Sequence, residues 1–332
     1  MHAVVLVGGF GTRLRPLTND IPKPMLPVLH RPMIVRLVDR LAAGGITDVV
    51  LALGFKPELF AAVFPGGRRD DVRVHYAVEP EPLDTAGAIA FAARAAGVTD
   101  TFVVANGDVV TDLDIAELVR WHRTTDADAT LHLIPVDDPA SFGVVELAAD
   151  GLVHRFVEKP APGETASNLI NAGTYVLEPS VLDLIEPGRR VSIERDTFPA
   201  LVAAGRLGAM STSDYWLDTG RPELYLRANL DLAGGVRGPD DEPAIAIGAV
   251  VDPTAVVIHS VVAAEATIGS RAAVTGSVLL PGAVVEADAI VTGSIVAGIV
   301  GAAARVVDSV IGAGYRVDDG ALVADARLPG PA

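Results

Sequence analysis

Gly8-Gly9-Phe10-Gly11-Thr12-Arg13-Leu14-Arg15-Pro16-Leu17-Thr18, followed by Pro22-Lys23-Pro24-Met25-Leu26-Pro27, is the stretch on which the fold turns. The apolar run Ala3 to Val7 reads as a strand and leads straight into the glycines. Glycines let backbone N–H groups approach a polyphosphate closely, and Arg13 and Lys23 supply fixed positive charge for it. The chain has three lysines, Lys23, Lys56 and Lys159, among 26 basic residues. A lysine kept where arginine is the habit points to a compact point charge. Two better-known glycine loops fit poorly. A Walker loop ends in Gly-Lys-Ser/Thr, and the dinucleotide fingerprint needs a third glycine where Leu14 stands.

Outward from this loop, strand-like and helix-like patterns alternate to about residue 232. Strands are expected at Ala3–Val7, Asp48–Leu53, Val72–Val78, Thr101–Ala105 and Ala129–Pro135, with Val153–Val157 and Leu169–Leu177 later. Helices are expected at Met33–Ala43, Thr85–Ala96 and Leu113–Thr124. The alternation predicts an α/β fold with a largely parallel sheet whose sites gather at strand C-terminal ends. Gly234 to Pro243 has linker composition. Beyond it helix patterns stop and aliphatic-Gly units recur. Ser260-Val261, Ser277-Val278, Ser294-Ile295 and Ser309-Val310 are spaced 17, 17 and 15 apart. That period, with six-residue sides, predicts a left-handed parallel β-helix of hexapeptide type. The expected division is a catalytic domain over 1–233, a linker over 234–244 and a β-helix over 245–328. The chain ends without a polar capping repeat, which suggests cover by a partner subunit.

Bulk properties narrow the function. A length of 332 residues can bury a large core. A net charge of −16 without a basic run argues against nucleic acid or an anionic membrane as partner. The absence of cysteine excludes disulfides, thiolate metal sites and cysteine nucleophiles. No signal peptide is read at the N-terminus, so a cytoplasmic protein is expected. The charge-free stretch between Asp288 and Arg305 is short for a membrane span and is broken by glycines, Thr292 and Ser294.

The glycine loop and the Pro-Lys-Pro block resemble the signature of the sugar-1-phosphate nucleotidylyltransferases, or nucleotide-sugar pyrophosphorylases. The resemblance continues through Asn106-Gly107-Asp108, Phe142-Gly143, Phe156-Val157-Glu158-Lys159-Pro160 and Ile170-Asn171-Ala172-Gly173. It ends with Ser192-Ile193-Glu194-Arg195 and Trp216-Leu217-Asp218-Thr219-Gly220. In this order the blocks look most like the mannose-1-phosphate guanylyltransferase (GDP-mannose pyrophosphorylase) family. That family implies a Rossmann-like nucleotidyltransferase domain with a mixed sheet, often followed by a hexapeptide domain.

The resemblance implies transfer of a nucleotidyl group from an NTP to a sugar 1-phosphate, with release of pyrophosphate. It assigns Gly8, Gly9, Gly11, Thr12, Glu79, Thr85 and Gly87 to the nucleotide, and Arg13 and Lys23 to the phosphates. Asp108 and Asp218 would hold Mg²⁺, a hard cation that takes one or two carboxylates plus phosphate oxygens. Gly143, Glu158, Lys159 and Asn171 would bind the sugar phosphate.

Glu79 stands where thymidylyl and uridylyl relatives commonly carry glutamine. A carboxylate can accept from guanine N1–H and its 2-amino group together, so Glu79 favours GTP, and the resemblance implies mannose 1-phosphate as acceptor. Asp84 stands where the family usually has glycine, which leaves other NTPs open. Glucose, heptose and cyclitol phosphates also stay open as acceptors. Two further readings are a catalytically dead regulatory subunit and an acyltransferase using His259. Retention of Arg13, Lys23, Asp108 and Asp218 argues against the first, and the lack of an acyl-CoA loop against the second. The β-helix is expected to build homo-oligomer contacts and add no chemistry.

Overall fold

Ala3, Val4 and Val5 carry no polar side chain, and all three are fully buried in a central strand, His2–Leu6. A computed structural model of the chain describes residues 1–9, 11–54, 57–148, 151–237 and 242–330. Phe10, Lys56 and residues 238–241 of the expected linker lie outside the described residues. The chain divides into two compact units. One contains Met1–Gly9 and Ile34–Trp216; the other contains Phe10–Met33 and Leu217–Ala332. The segment after the first two glycines therefore groups with the C-terminal third of the chain, apart from the strand that leads into it.

In the first unit, His2–Leu6 pairs in parallel with Asp48–Leu53 on one side and Phe102–Asn106 on the other. Val72–Val78 continues the parallel part beyond Asp48–Leu53. The largely parallel sheet expected from the alternation holds for this part, and on the other side only Leu207–Ser211 runs parallel to its neighbour, Ala129–Pro135. Leu169–Leu177 runs antiparallel to Phe102–Asn106, Ala129–Pro135 and Gly143–Leu147, and Gly143–Leu147 runs antiparallel to Val153–Glu158. For Gly143–Leu147 and Val153–Glu158 the reason is connection length, because a parallel neighbour needs a crossover of a dozen or more residues and Leu147 and Val153 are too close in sequence for one. The sheet is mixed, as the resemblance implied. Its core is aliphatic and aromatic, with Tyr175, Phe102 and Phe198 fully buried. The helix expected at Leu113–Thr124 runs Ile115–His122, because the Asp114 carboxylate accepts the Glu117 N–H at 3.0 Å and starts it there.

In the second unit, short strands stack into three parallel five-stranded sheets that form a parallel β-helix. Inward residues such as Ile268, Val285, Val300 and Val317 fill one continuous core. The serines that mark the period form a ladder at one corner. The Oγ of Ser260 accepts the Ser277 N–H at 3.1 Å, that of Ser277 the Ser294 N–H at 3.1 Å, and that of Ser294 the Ser309 N–H at 3.0 Å. Each hydroxyl also donates back to the carbonyl two residues earlier, as Ser277 does to Thr275 at 2.8 Å. The residue before each serine turns the corner at positive φ: His259 at 45°, Gly276 at 56°, Gly293 at 59° and Asp308 at 45°. His259 is thus a corner residue, which gives no support to an acyltransferase role.

Each rung satisfies a buried N–H that has no other place to bond. Ser277→Ala would remove both of its bonds and leave the Ser294 N–H unpaired. The expected cost is about 2 kcal/mol, read as a lower midpoint in urea unfolding with the far-UV spectrum unchanged. An unchanged midpoint would show that the ladder carries no stability.

Candidate active site

Parallel register brings several predicted residues to one edge of the sheet in the first unit. Leu6 is paired with Asn106, the Gly107 N–H donates to the Leu6 carbonyl at 2.9 Å, and the Glu79 N–H donates to the Leu53 carbonyl at 2.9 Å. Gly8 and Gly9, Glu79 and Asp108 therefore all follow strand C-terminal ends on the same edge. Gly107 has to be bare, because a Cβ there would meet Val7 Cγ1 at 2.6 Å. Asp108 is half-buried.

Glu79 is partly desolvated. Burial pushes its pKa up, while the Leu83 N–H donated to its Oε2 at 2.9 Å opposes the rise. Asp84 begins the helix Asp84–Ala95 at φ 61°, the left-handed region that favours glycine. Its Oδ1 accepts the Thr85 N–H at 2.9 Å. Thr85 and Gly87 are occupied within the protein. The Thr85 hydroxyl donates to Glu194 Oε2 at 2.8 Å and accepts the Ile193 N–H at 2.8 Å. The Ala86 and Gly87 N–H groups donate to the Val191 carbonyl at 2.9 and 3.2 Å. A Cβ on Gly87 would meet the Arg189 carbonyl oxygen at 2.8 Å. These two residues fix the helix start against residues 189–193, and their polar groups are already used there.

The predicted sugar-phosphate residues gather on the antiparallel half. Gly143 is paired with Glu158 across neighbouring strands, and a Cβ on Gly143 would meet Phe156 Cζ at 2.6 Å and Glu158 Oε2 at 2.9 Å. The glycine thus makes room for the carboxylate. Burial, reinforced by the Glu194 charge, raises the Glu158 pKa, and Lys159 opposes it. Lys159 Nζ lies 3.6 Å from Glu158 Oε1 and is well exposed. Asn171 Nδ2 donates to the buried Tyr175 hydroxyl at 2.9 Å, and its Oδ1 accepts the Gly173 N–H at 3.1 Å. Trp216 packs edge-on to Phe142 with ring centroids 5.7 Å apart, and its Nε1 donates to the Ala172 carbonyl at 2.8 Å. Tyr175 and Glu194 were not among the sequence candidates. Glu194 lay inside a recognised block but had no role until its partners were seen.

The second unit holds the rest of the loop. Gly11 sits at φ 56°, and its carbonyl accepts the Thr18 hydroxyl at 2.7 Å. A Cβ on Gly11 would press on Thr18 Cγ2 at 3.1 Å and on Lys23 Cβ at 3.3 Å. A single turn, Thr12–Leu14, follows, with Leu14 buried and Arg13 exposed. Lys23 is only 7% exposed, and its Nζ donates to Asp218 Oδ1 at 3.1 Å. The Gly220 N–H donates to the same oxygen at 2.9 Å. Gly220 is bare for a reason, since a Cβ there would meet Asp218 Oδ1 at 3.0 Å and Lys23 Nζ at 3.4 Å. Residues 27–29 are held by the helix Pro222–Ala233. The Tyr225 hydroxyl donates to the Pro27 carbonyl, and buried Asn229 accepts the Leu29 N–H at 2.8 Å. Neither Tyr225 nor Asn229 was signalled by any motif.

The loop thus presents a glycine turn carrying an exposed arginine, followed by a near-buried lysine on a carboxylate. The profile of the nucleotidyl transferase family matches residues 2–234. The chain belongs to the nucleotidyl transferase family. Among its curated relatives in that family, the chain is 43% identical over 266 residues to a mannose-1-phosphate guanylyltransferase of Mycobacterium tuberculosis. That match covers 78% of this chain and 73% of the relative. It is 40% identical over 267 residues to a mannose-1-phosphate guanyltransferase of Aspergillus fumigatus, covering 77% of this chain and 72% of the relative. Among solved structures it resembles HddC from Yersinia pseudotuberculosis complexed with GMP-PN. The TM-score is 0.59 at 31% identity, over 69% of this chain and 97% of that one. As a nucleotidyl transferase the chain is an enzyme. No helix among its described residues is long and apolar enough to cross a membrane.

The Gly143–Glu158 fit gives a direct test. In Gly143→Ala the added methyl must displace Phe156 or Glu158, an overpacking cost of about 1–3 kcal/mol. Thermal unfolding should shift down by several degrees. An unchanged midpoint would mean that Glu158 is not held by the bare position.

Proposed function

We propose that the enzyme transfers GMP from GTP to mannose 1-phosphate, forming GDP-mannose and pyrophosphate. The observation that carries the reading is Lys23, an almost buried ammonium held by Asp218 beside the turn that presents Arg13. The curated relatives, named for mannose 1-phosphate and the guanylyl group, support the choice of substrates. So does the likeness to a protein crystallised with GMP-PN, a guanine nucleotide.

A sugar phosphate is mostly dianionic near neutral pH, its second pKa being about 6. It therefore needs no general base. A phosphate oxygen attacks the α-phosphorus and forms the new P–O bond, and pyrophosphate leaves with the electrons of the old one. What remains is positioning and charge neutralisation. Backbone donors at Gly8, Gly9 and Gly11, with Thr12, would receive the nucleotide. Arg13 would stabilise the developing pyrophosphate, and Lys23 the α-phosphoryl group. Lys159 would grip the sugar phosphate, while Glu158 and Asn171, beside Gly143, would read its hydroxyls. Thr85 and Gly87 would act by holding the helix start rather than by touching the base.

Asp108 and Asp218 would hold Mg²⁺, both being hard oxygen donors of the kind it takes. A cation held by two carboxylates would complete its shell with substrate phosphates and water, as Mg²⁺ prefers. When bound it neutralises phosphate charge. Asp218 is fixed for that duty by Lys23 and the Gly220 N–H. The reading includes a cytoplasmic homo-oligomer. Exposed Ile247, Val250, Val256 and Ile258 on the first coils support contact with a second copy. A second reading keeps the chemistry and changes the NTP or the sugar or cyclitol phosphate; Asp84, where the family usually has glycine, keeps it open.

Asp108→Asn keeps size and removes charge. Turnover should fall on the order of 10²-fold or more, since several kcal/mol of charge stabilisation is lost. Near-normal turnover at ordinary Mg²⁺ would sink the metal assignment.

Base choice is tested by pyrophosphate release across several NTPs and sugar 1-phosphates. GTP with mannose 1-phosphate should give the highest kcat/KM. Glu79 Oε2 already accepts one N–H but keeps a second lone pair, and Oε1 has its own, so two guanine donors can be met. Glu79→Gln replaces an acceptor with a donor, at an expected cost for GTP of roughly 1.5–3 kcal/mol, about tenfold to a hundredfold. UTP and dTTP should lose less. An unchanged GTP:UTP ratio would remove Glu79 from base recognition.

A further inference from the structure

The β-helix repeats its outward-facing residues as faithfully as its inward ones along one sheet. Val261, Val278, Ile295 and Val310 stack in register, all buried, and the next place in the column is Arg327. The residue before it breaks the serine ladder as well, because Ala326 stands where Ser309 stands one coil earlier. Unlike the four before it, Arg327 is exposed, and its Nη1 donates to the Arg13 carbonyl at 2.7 Å.

A second contact joins the same two segments. The Gly312 N–H bonds the Leu328 carbonyl within the terminal coils, and a Cβ on Gly312 would meet Pro16 Cβ and Cγ, each at 2.8 Å. The bare glycine is what lets Pro16 rest on the coil. Farther along, the loop leaves the coils. A cleft of about 400 Å³ opens among Leu17, Ile21, Met25, Leu280, Ala297 and Ala313. The coils thus hold the loop at its Arg13–Pro16 end.

We propose that Arg327 is a positioning residue for nucleotidyl transfer, which clamps the backbone of the Thr12–Leu14 turn and so aims Arg13 at the departing pyrophosphate. The β-helix then contributes to catalysis through its last coil, beyond the assembly role expected of it. The inference rests on the role given to Arg13 above. Arg13 has an exposed side chain and a backbone fixed on both sides, by Thr18 at Gly11 and by Arg327 at its own carbonyl. A cation that must meet a developing charge loses much of its effect when displaced by even about 1 Å.

The test uses the full chain with Arg327→Ala and Arg327→Lys, read by steady-state pyrophosphate release, thermal midpoint and amide hydrogen exchange. Arg327→Ala should lower kcat roughly tenfold with the KM for sugar phosphate and the thermal midpoint unchanged. Exchange should quicken at the Leu14, Arg15 and Leu17 amides, which close the turn and the residues after it. Arg327→Lys retains one donor and should recover most of the lost turnover. Wild-type kcat in Arg327→Ala overturns the proposal. So does a loss that accompanies a lower thermal midpoint and is not rescued by lysine, because that marks a purely structural arginine. Unchanged exchange overturns the clamp itself. If the wild-type protein releases no pyrophosphate from any NTP and sugar 1-phosphate pair, the reaction fails, and exchange alone still decides whether Arg327 holds the loop.

Discussion

The contact between the Lys23 ammonium and the Asp218 carboxylate is the constraint around which the loop of the second unit is arranged. An ammonium that is 7% exposed is costly to desolvate, so it must be met by a carboxylate and kept there. That requirement reaches into the neighbouring sequence. Gly220 must be bare so that its N–H reaches the same oxygen and no methyl crowds Lys23. Gly11 must turn at positive φ because Thr18 and Lys23 fill the space where a side chain would go. Downstream, Tyr225 and Asn229 take up the backbone groups of residues 27–29. The loop buries Leu14, Leu17, Leu26, Val28 and Leu29, and one ion pair, a few buried hydrogen bonds and the lack of Cβ atoms set its turns.

The first unit presents the opposite electrostatics. Glu79 and Glu158 are partly buried carboxylates whose ionisation is disfavoured by desolvation, and Glu194 adds its charge against Glu158. Desolvated acceptors gain strength as hydrogen-bond partners for hydroxyl and N–H donors, the groups that distinguish one sugar or base from another. On the proposed reading, Arg13 and Lys23 on the loop and Lys159 on the sheet would meet phosphate, and the acceptors on the sheet would serve recognition. A protein with a net charge of −16 can thereby serve anionic substrates, because the field that matters is local.

The β-helix solves a different problem. Its coils are too short to form stable strands alone, and each gains its order from the coil beside it. The serine ladder makes this literal, because every rung bonds within its own coil and to the next. Such a stack must end somewhere. At Arg327 the aliphatic column gives way to a cation and at Ala326 the serine column ends, and this coil meets the Thr12–Leu14 turn.

The sequence by itself determined what depends on local pattern. Most strand and helix positions were legible from periodicity, since an apolar stripe has few other uses; Asp48–Leu53, Val72–Val78 and Leu169–Leu177 appear at the expected residues. The 17-residue period fixed the coil size because each serine is paired with its counterpart one coil on. The glycine loop was legible because each of its constraints, a turn or a bare position, acts on a single residue. Tertiary structure decided everything that joins distant residues. It set Leu169–Leu177 antiparallel to three neighbours, two of them far away in the chain. It occupied Thr85 and Gly87 with residues 189–194, which a motif cannot foresee, because hydrogen-bond capacity is used up by partners about a hundred positions away. It grouped the loop's second part with the coils and set Arg327 against Arg13, 314 residues apart in the chain. A repeat predicts its own next residue, so a break in the repeat is visible in sequence; what the break is for becomes visible only when its partner is in place.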